Sequence, residues 1–68
     1  MIEFELKEEY IKLFHLLKCT ELCPSGGAAK FAVSQNLVKV DGQIETRKAA
    51  KIHKGQKIEF EGQIVSVI

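Results

Sequence analysis

The chain has 68 residues, a formal net charge of +1 with both histidines neutral, and a hydrophobic fraction of 46%. A chain this short forms one small domain, buries about 60% of the surface that its unfolded form exposes, and has little room for a deep catalytic pocket. No apolar run approaches the roughly 20 residues that span a bilayer. Because the N-terminus is acidic and unlike a signal peptide, we expect a cytoplasmic protein in which residues 1–68 are a single domain.

The N-terminal part of the chain predicts a strand followed by a helix. Hydrophobic and acidic residues alternate over residues 2–6, the pattern of a strand with one buried face. From Glu8 onwards, apolar residues recur at helical spacing, with acidic residues first and Lys18 last, as the helix dipole favours. We therefore expect a helix from Glu8 to Lys18 or Cys19.

A second helix is predicted from Gly26 to Gln35. Ser25 suits its N-cap, because the hydroxyl can accept a backbone N–H one turn further on. Asn36 suits the left-handed residue that closes a helix. The inner face is expected to consist of Ala29, Ala32 and Val33, with Phe31 flanking it.

The second half of the chain predicts strands joined by tight turns. Asp41-Gly42 lies between short alternating runs and predicts a hairpin, because both turn positions tolerate positive φ. A basic loop follows at residues 46–51, then a turn at residues 54–56. A final hairpin is expected over residues 58–67. The fold class is therefore α+β, with two packed helices followed by a small strand-rich half with β-hairpins.

Basic residues are concentrated in one stretch of the chain. Residues 30–57 contain seven of them against only Asp41 and Glu45, so this stretch carries +5 and the rest carries −4. The segregation predicts one basic face, for which a polyphosphate is the natural partner. A solvated face without a ligand is the alternative. The seven are Lys30, Lys39, Arg47, Lys48, Lys51, Lys54 and Lys57.

A helix and a hairpin follow each other in a specific order over residues 25–42. The helix contributes Ser25, Ala29, Lys30 and Val33, and the hairpin contributes Val38-Lys39-Val40-Asp41-Gly42. This order resembles the ribosomal protein S-four-type RNA-binding domain, also called the alpha-L motif. The resemblance covers residues 13–60 and is closest to small stand-alone bacterial members.

The resemblance implies two helices and a β-hairpin that build a basic surface for structured RNA. The family often has an arginine where this chain has Gly26, so one expected RNA contact is missing. It often has a glycine where this chain has Asn36, a conformationally conservative change.

The resemblance also implies which side chains contact RNA. Lys30 matches the helix position and Lys39 the strand position, while Arg47, Lys48 and Lys51 occupy the loop after the hairpin. Arg47 is the strongest candidate, because its planar fork can bridge two phosphate oxygens. Affinity should fall with salt at a slope of about −0.7 to −0.9 for each phosphate contact.

The start of the second helix is a further candidate phosphate site. Ser25 precedes two glycines, and a helix N-terminus offers free N–H groups that a phosphate could approach. An ordinary N-cap followed by flexible glycines is an equally good interpretation. The segment lacks the glycine-lysine-threonine ending of Walker-type loops, so nucleotide hydrolysis is not supported.

Two other groups of residues, the candidate zinc ligands and the aromatic residues, are explained more simply by structural roles than by ligand binding. His15, Cys19, Cys23 and His53 supply the ligand count of a zinc site, but the usual spacing of two between the cysteines is absent. We therefore expect reduced cysteines that bind no metal. The five aromatic residues all fit core positions, and none form a paired stacking platform with adjacent basic residues. This favours recognition of RNA by shape and backbone.

The sequence therefore predicts a non-enzymatic RNA-binding protein that acts on structured RNA, with ribosomal RNA as one target. The alternative is a protein-interaction adaptor whose basic face binds an acidic protein. A ubiquitin-like sulfur carrier is not expected, because such a carrier needs a C-terminal Gly-Gly and this sequence reads Val65-Ser66-Val67-Ile68 there. We expect a monomer without a cofactor, a small-molecule substrate or a membrane partner.

Overall fold

The computed structural model describes residues 1–68 and contains two helices and seven strands. A five-stranded sheet has the order β1-β7-β6-β3-β4, and β2 and β5 form a separate antiparallel pair. The predicted α+β class is confirmed. The elements are β1 (Ile2–Phe4), β2 (Ile11–Lys12), α1 (Leu13–Cys19), α2 (Gly26–Ser34), β3 (Val38–Val40), β4 (Gln43–Ile44), β5 (Lys51–Ile52), β6 (Lys57–Phe60) and β7 (Gln63–Val67).

The predicted N-terminal strand is confirmed, and its partner comes from the opposite end of the chain. β1 lies parallel to β7, with Ile2 opposite Val65. Beyond the strand, the Leu6 N–H donates to the Ile68 carbonyl at 2.8 Å, and the Ile68 N–H donates to the Phe4 carbonyl at 2.9 Å. The two ends of the chain therefore belong to one sheet edge.

The first helix begins later than predicted. It starts at Leu13, not at Glu8, because Ile11 and Lys12 are extended and pair with β5. Backbone hydrogen bonds to a distant strand thus replace the helical turn that the local pattern favours. The helix keeps the predicted end at Cys19, and its buried stripe consists of Leu13, Leu16 and Leu17.

The second helix agrees with its prediction except at one residue. The Ser25 hydroxyl accepts the Ala28 N–H at 3.1 Å, and Asn36 has the left-handed φ of 62°. The inner face is buried as expected. Phe31, however, is 64% exposed, so its predicted place among the core aromatics is wrong. Its helical position points away from Ala29 and Ala32, the side on which α2 packs.

Both predicted hairpins are present. Asp41 and Gly42 have φ values of 51° and 85°, and Glu61 and Gly62 have φ values of 51° and 77°. Two consecutive positive φ values are the signature of the tight turn that suits right-handed strand twist. The sequence did not indicate how the hairpins join: β3 pairs with β6, so the two form one continuous sheet.

The core lies between the helices and one face of the five-stranded sheet. It contains fifteen buried residues, all of them hydrophobic, and no polar or charged side chain is buried. Leu13 and Leu17 of α1 belong to the same cluster as Val38, Ile58 and Val65 of the sheet. Neither helix has the length and apolar character required to cross a membrane.

Candidate nucleic-acid interface

Two lysines lie over aromatic rings near the start of α1. The Lys30 ammonium is 4.7 Å from the centre of the Phe14 ring, and the Lys51 ammonium is 4.9 Å from the centre of the Tyr10 ring. These two contacts were not predicted from the sequence, where only stacking platforms with adjacent basic residues were considered. Each pair joins residues that are far apart in the chain, so adjacency in sequence could not reveal it. A ring beneath an ammonium group attracts it and restricts its position.

The backbone holds the basic loop against the start of α1. The Phe14 N–H donates to the Lys48 carbonyl at 3.0 Å, and the Leu13 N–H donates to the Ala50 carbonyl at 2.9 Å. These two bonds use N–H groups that a helix start leaves without an intrahelical partner. Lys48 is therefore brought beside the helix that carries Phe14.

Lys12 is a cation that the sequence reasoning missed. It lies directly opposite Lys51 in the antiparallel pair formed by β2 and β5, and both side chains are exposed. Like charges opposite each other on neighbouring strands are destabilising. An anion bound between the two ammonium groups would relieve that repulsion. The signal was hidden because the predicted first helix included Lys12.

Arg47 is exposed but has a protein partner. Its Nε donates to Glu45 Oε2 at 3.0 Å and its Nη2 donates to Oε1 at 3.2 Å, while its backbone N–H also donates to Oε2 at 2.9 Å. This pairing raises the pKa of Arg47 and lowers the pKa of Glu45. One edge of the guanidinium is thus occupied, and Nη1 with the second hydrogen of Nη2 remains available for a phosphate.

Arg47 and Lys51 also line one shallow depression, with Ala49 and Ala50 between them, of about 420 Å³. The structure thereby brings five cations around the start of α1, and we call this set the cationic surface. The cationic surface consists of Lys12, Lys30, Arg47, Lys48 and Lys51.

Lys39 does not join the cationic surface. Its neighbours Val38 and Val40 contact the core, so alternation directs Lys39 to the other face of the sheet, away from the helices. On that face it lies between Ile44 of β4 and Glu59 of β6. The expectation of a single face containing all the candidate lysines is therefore wrong at this position.

Ser25 has a structural role that the hydrogen bonds define. Its hydroxyl oxygen accepts the Ala28 N–H, and its carbonyl accepts the Ala29 N–H at 3.0 Å. The hydroxyl hydrogen is still free to donate. Ser25 therefore caps α2, the helix that carries Lys30.

The four residues considered for zinc do not gather. Cys23 is buried and Cys19 is exposed; burial, together with the nearby Glu61 carboxylate, raises the pKa of the Cys23 thiol. The His15 ring stacks on Phe14 with ring centres 5.9 Å apart, and the His53 ring lies 6.2 Å from Tyr10. No three metal-ligating side chains come together in the structure.

Comparison with known proteins identifies the family. A family model described as an S4 domain matches residues 4–68. The chain belongs to the S4 domain family. The predicted resemblance to the S-four-type domain is thereby confirmed, over a longer stretch than the residues on which it was based.

Relatives and a solved structure agree with this assignment. The chain is 44% identical over 69 residues to an Escherichia coli (strain K12) protein named "Putative RNA-binding protein YbcJ", covering 100% of this chain and 99% of the relative. It is 35% identical over 54 residues to a Bacillus subtilis (strain 168) protein named "Probable ribosome maturation protein RlbA", covering 79% and 76%.

The solution structure of the E. coli YbcJ protein superposes with a TM-score of 0.77 at 43% identity, covering 100% of this chain and 87% of that one. That structure is described as revealing an alpha-L motif involved in RNA binding. The fold predicted from the sequence, an alpha-L motif, is therefore confirmed.

Proposed function

We propose that this protein is a non-enzymatic RNA-binding protein, and that residues 1–68 act as one domain that docks the cationic surface on the phosphate backbone of structured RNA. The observation that carries the proposal is the pairing of Lys12 with Lys51. Two exposed lysines lie directly opposite each other in a two-residue ladder, an arrangement that costs free energy in the isolated protein. A bound phosphate would relieve the repulsion between the two lysines, and that relief would add to the free energy of binding.

The remaining residues of the surface extend the same site. Lys30 and Lys51 have their ammonium groups placed by rings, so they lose less side-chain freedom when a phosphate binds. The edge of the Arg47 guanidinium that Glu45 does not occupy can bind a phosphate, and Lys48 follows Arg47 directly in the loop. Ser25 assists as the cap of α2 and as a hydroxyl donor to a nearby phosphate.

Ribosomal RNA is the target class that we propose. The B. subtilis relative is named for ribosome maturation, and the E. coli relative is named for RNA binding. The cations of this surface are exposed and do not line a deep groove, and aromatic rings and backbone hydrogen bonds position them. Such a surface suits recognition of a folded RNA through its phosphates.

The test is a titration of a structured ribosomal RNA fragment at salt concentrations between about 50 and 200 mM. The wild-type protein should lose affinity steeply as salt rises. Replacement of Lys12, Lys48 or Lys51 by alanine should reduce the salt slope by about 0.7 to 0.9 for each residue. Lys39→Ala is the matched control: it removes one equally exposed lysine from the other face of the sheet and should leave the slope unchanged.

Two results would contradict the proposal. Affinity that is independent of salt would exclude phosphate contacts, and affinity that survives Arg47→Ala combined with Lys48→Ala would exclude this surface. Capture of partners from extract with and without nuclease separates RNA from an acidic protein, because only RNA-mediated capture is lost after nuclease treatment.

A further inference from the structure

Phe31 is an aromatic residue on the surface of α2 that the core does not use. Its side chain is 64% exposed, although Tyr10, Phe14 and Phe4 are all partly buried and Phe60 is buried. The ring takes part in neither aromatic pair and in neither contact between a lysine and a ring. The face of the phenyl ring is therefore available to a ligand.

The surroundings of Phe31 on the helix leave its ring uncovered. The residues one turn towards the N-terminus are Gly27 and Ala28, both small, and those one turn towards the C-terminus are Ser34 and the exposed Gln35. A side-chain carbon at Gly27 would meet only the Ser25 hydroxyl, at 3.9 Å. The Ser34 hydroxyl turns back and donates to the Phe31 carbonyl at 2.7 Å, so it does not compete for a ligand. A flat ligand can therefore approach the ring from the Gly27 side of α2.

The position of Phe31 indicates what kind of ligand fits. It directly follows Lys30, one of the five cations of the cationic surface, whose ammonium is held over the Phe14 ring. A single exposed hydrophobic residue is common on protein surfaces and needs no explanation. An exposed ring one residue along the helix from a positioned ammonium group is a different case, because a nucleotide presents a planar base and an anionic phosphate as two separate groups.

We infer that Phe31 stacks on an unpaired base of the bound RNA, beside a phosphate held by Lys30. This inference rests on the proposed function and adds to it: the RNA would be recognised at a loop or bulge, since bases stacked inside a duplex cannot reach a protein ring. Every base has a π-face, so the contact favours unpaired over paired nucleotides without selecting a particular base.

The chain contains no tryptophan, so Phe31→Trp introduces a single tryptophan, which can be excited selectively, at the inferred contact. The probe is RNA retained by the wild-type protein from a pool of hairpins with a randomised loop. The stem of those hairpins, annealed as a blunt duplex, is the comparison ligand. We expect the hairpins to quench the tryptophan and the duplex to leave its emission nearly unchanged.

Ile44→Trp is the matched control. Ile44 is 54% exposed, but it lies on β4 beside Lys39, on the sheet face away from the helices. Its tryptophan should not be quenched by either RNA. Quenching at both positions would reveal a nonspecific effect and would overturn the inference.

Affinity measurements separate stacking from charge. Phe31→Ala should weaken hairpin binding about 5- to 150-fold, which corresponds to about 1–3 kcal/mol, with no change in the salt slope. Phe31→Leu keeps a helix-forming apolar side chain but removes the ring, and it should resemble alanine. Circular dichroism of each variant shows whether the fold is kept, which is expected because Phe31 is on the surface.

The outcomes distinguish the two proposals. If the wild-type protein binds hairpins in a salt-dependent way but Phe31→Ala binds equally well, the stacking inference is wrong and the proposed function stands. If the wild-type protein retains no RNA, both are wrong. A change in the emission of Phe31→Trp with protein concentration alone would show that a second copy covers the ring, and this too would overturn the inference.

Discussion

Asp41 connects the first hairpin turn to the strand beside it, and its replacement by asparagine tests how that connection stabilises the sheet. Asp41 Oδ1 accepts the Lys57 N–H at 3.0 Å, and Oδ2 accepts the Gln56 side-chain amide at 3.1 Å. The other end of that amide is occupied, because Gln56 Oε1 accepts the His53 N–H at 2.8 Å. The amide of Gln56 therefore cannot rotate to suit a new partner.

Asparagine retains Oδ1 but places an NH₂ group where Oδ2 was, so two donors face each other at Gln56. One charge-assisted hydrogen bond is lost and the bond from the Lys57 N–H becomes a neutral one. After allowance for the exposure of Asp41 to solvent, we expect a loss of about 1–2 kcal/mol in the free energy of unfolding. In a domain of this size the melting temperature should fall by about 5–15 °C. The backbone should not be strained, because asparagine tolerates the φ of 51° at this position.

The effect depends on pH in a defined direction. The hydrogen bond from the Lys57 N–H, followed by that from Gln56, lowers the pKa of Asp41 in the folded protein. The carboxylate therefore stabilises the fold fully above its unfolded pKa of about 3.9. That stabilisation disappears as the pH falls through the lower folded-state pKa. The difference between the wild type and Asp41→Asn should be constant near neutrality and shrink in acid.

Urea unfolding at several pH values measures this difference. Glu61→Asn is the matched control, since Glu61 holds the same place in the second hairpin turn, with the same φ of 51°, and its carboxylate accepts no hydrogen bond. We expect that control to be as stable as the wild type or slightly more so. Equal stability of Asp41→Asn and the wild type at neutral pH would refute the reasoning, as would a difference that persists at the lowest pH at which both remain folded.

Two further substitutions test the helices. Ser25→Ala should lower the free energy of unfolding by about 1 kcal/mol, because the Ala28 N–H loses its cap. Ser25→Asp should restore stability in urea unfolding but weaken RNA binding at low salt. Equal RNA affinity for both variants would argue against a phosphate near the cap. Leu13→Ala should lower the free energy of unfolding by about 2–5 kcal/mol, because Leu13 is fully buried in the core. A loss below about 1 kcal/mol in urea unfolding would contradict this burial, because it is smaller than the transfer free energy of the removed side chain alone.

The elements that could be predicted from the sequence are those whose signals are local. Ser25 caps a helix through an atom three residues away, and Asp41-Gly42 forms a turn through its own φ values. The start of α1 could not be predicted in this way. Ile11 and Lys12 have a helical pattern, yet they are held as a strand by residues 51 and 52. A pairing between distant segments leaves no trace in the periodicity of either one.

The same reason explains why counting charge along the chain located the cationic surface only in part. The stretch that carries +5 includes Lys39, which strand alternation directs to the opposite face of the sheet, and it excludes Lys12, which the pairing of β2 with β5 places opposite Lys51. Side-chain direction is set every second residue in a strand, so nearness in sequence is a poor guide to a shared surface. The chain folds Lys12 into a repulsive pair even though its net charge is only +1. A neutral or acidic residue at either position would remove that repulsion, and the unfavourable arrangement is therefore the observation on which the proposed phosphate-binding surface rests.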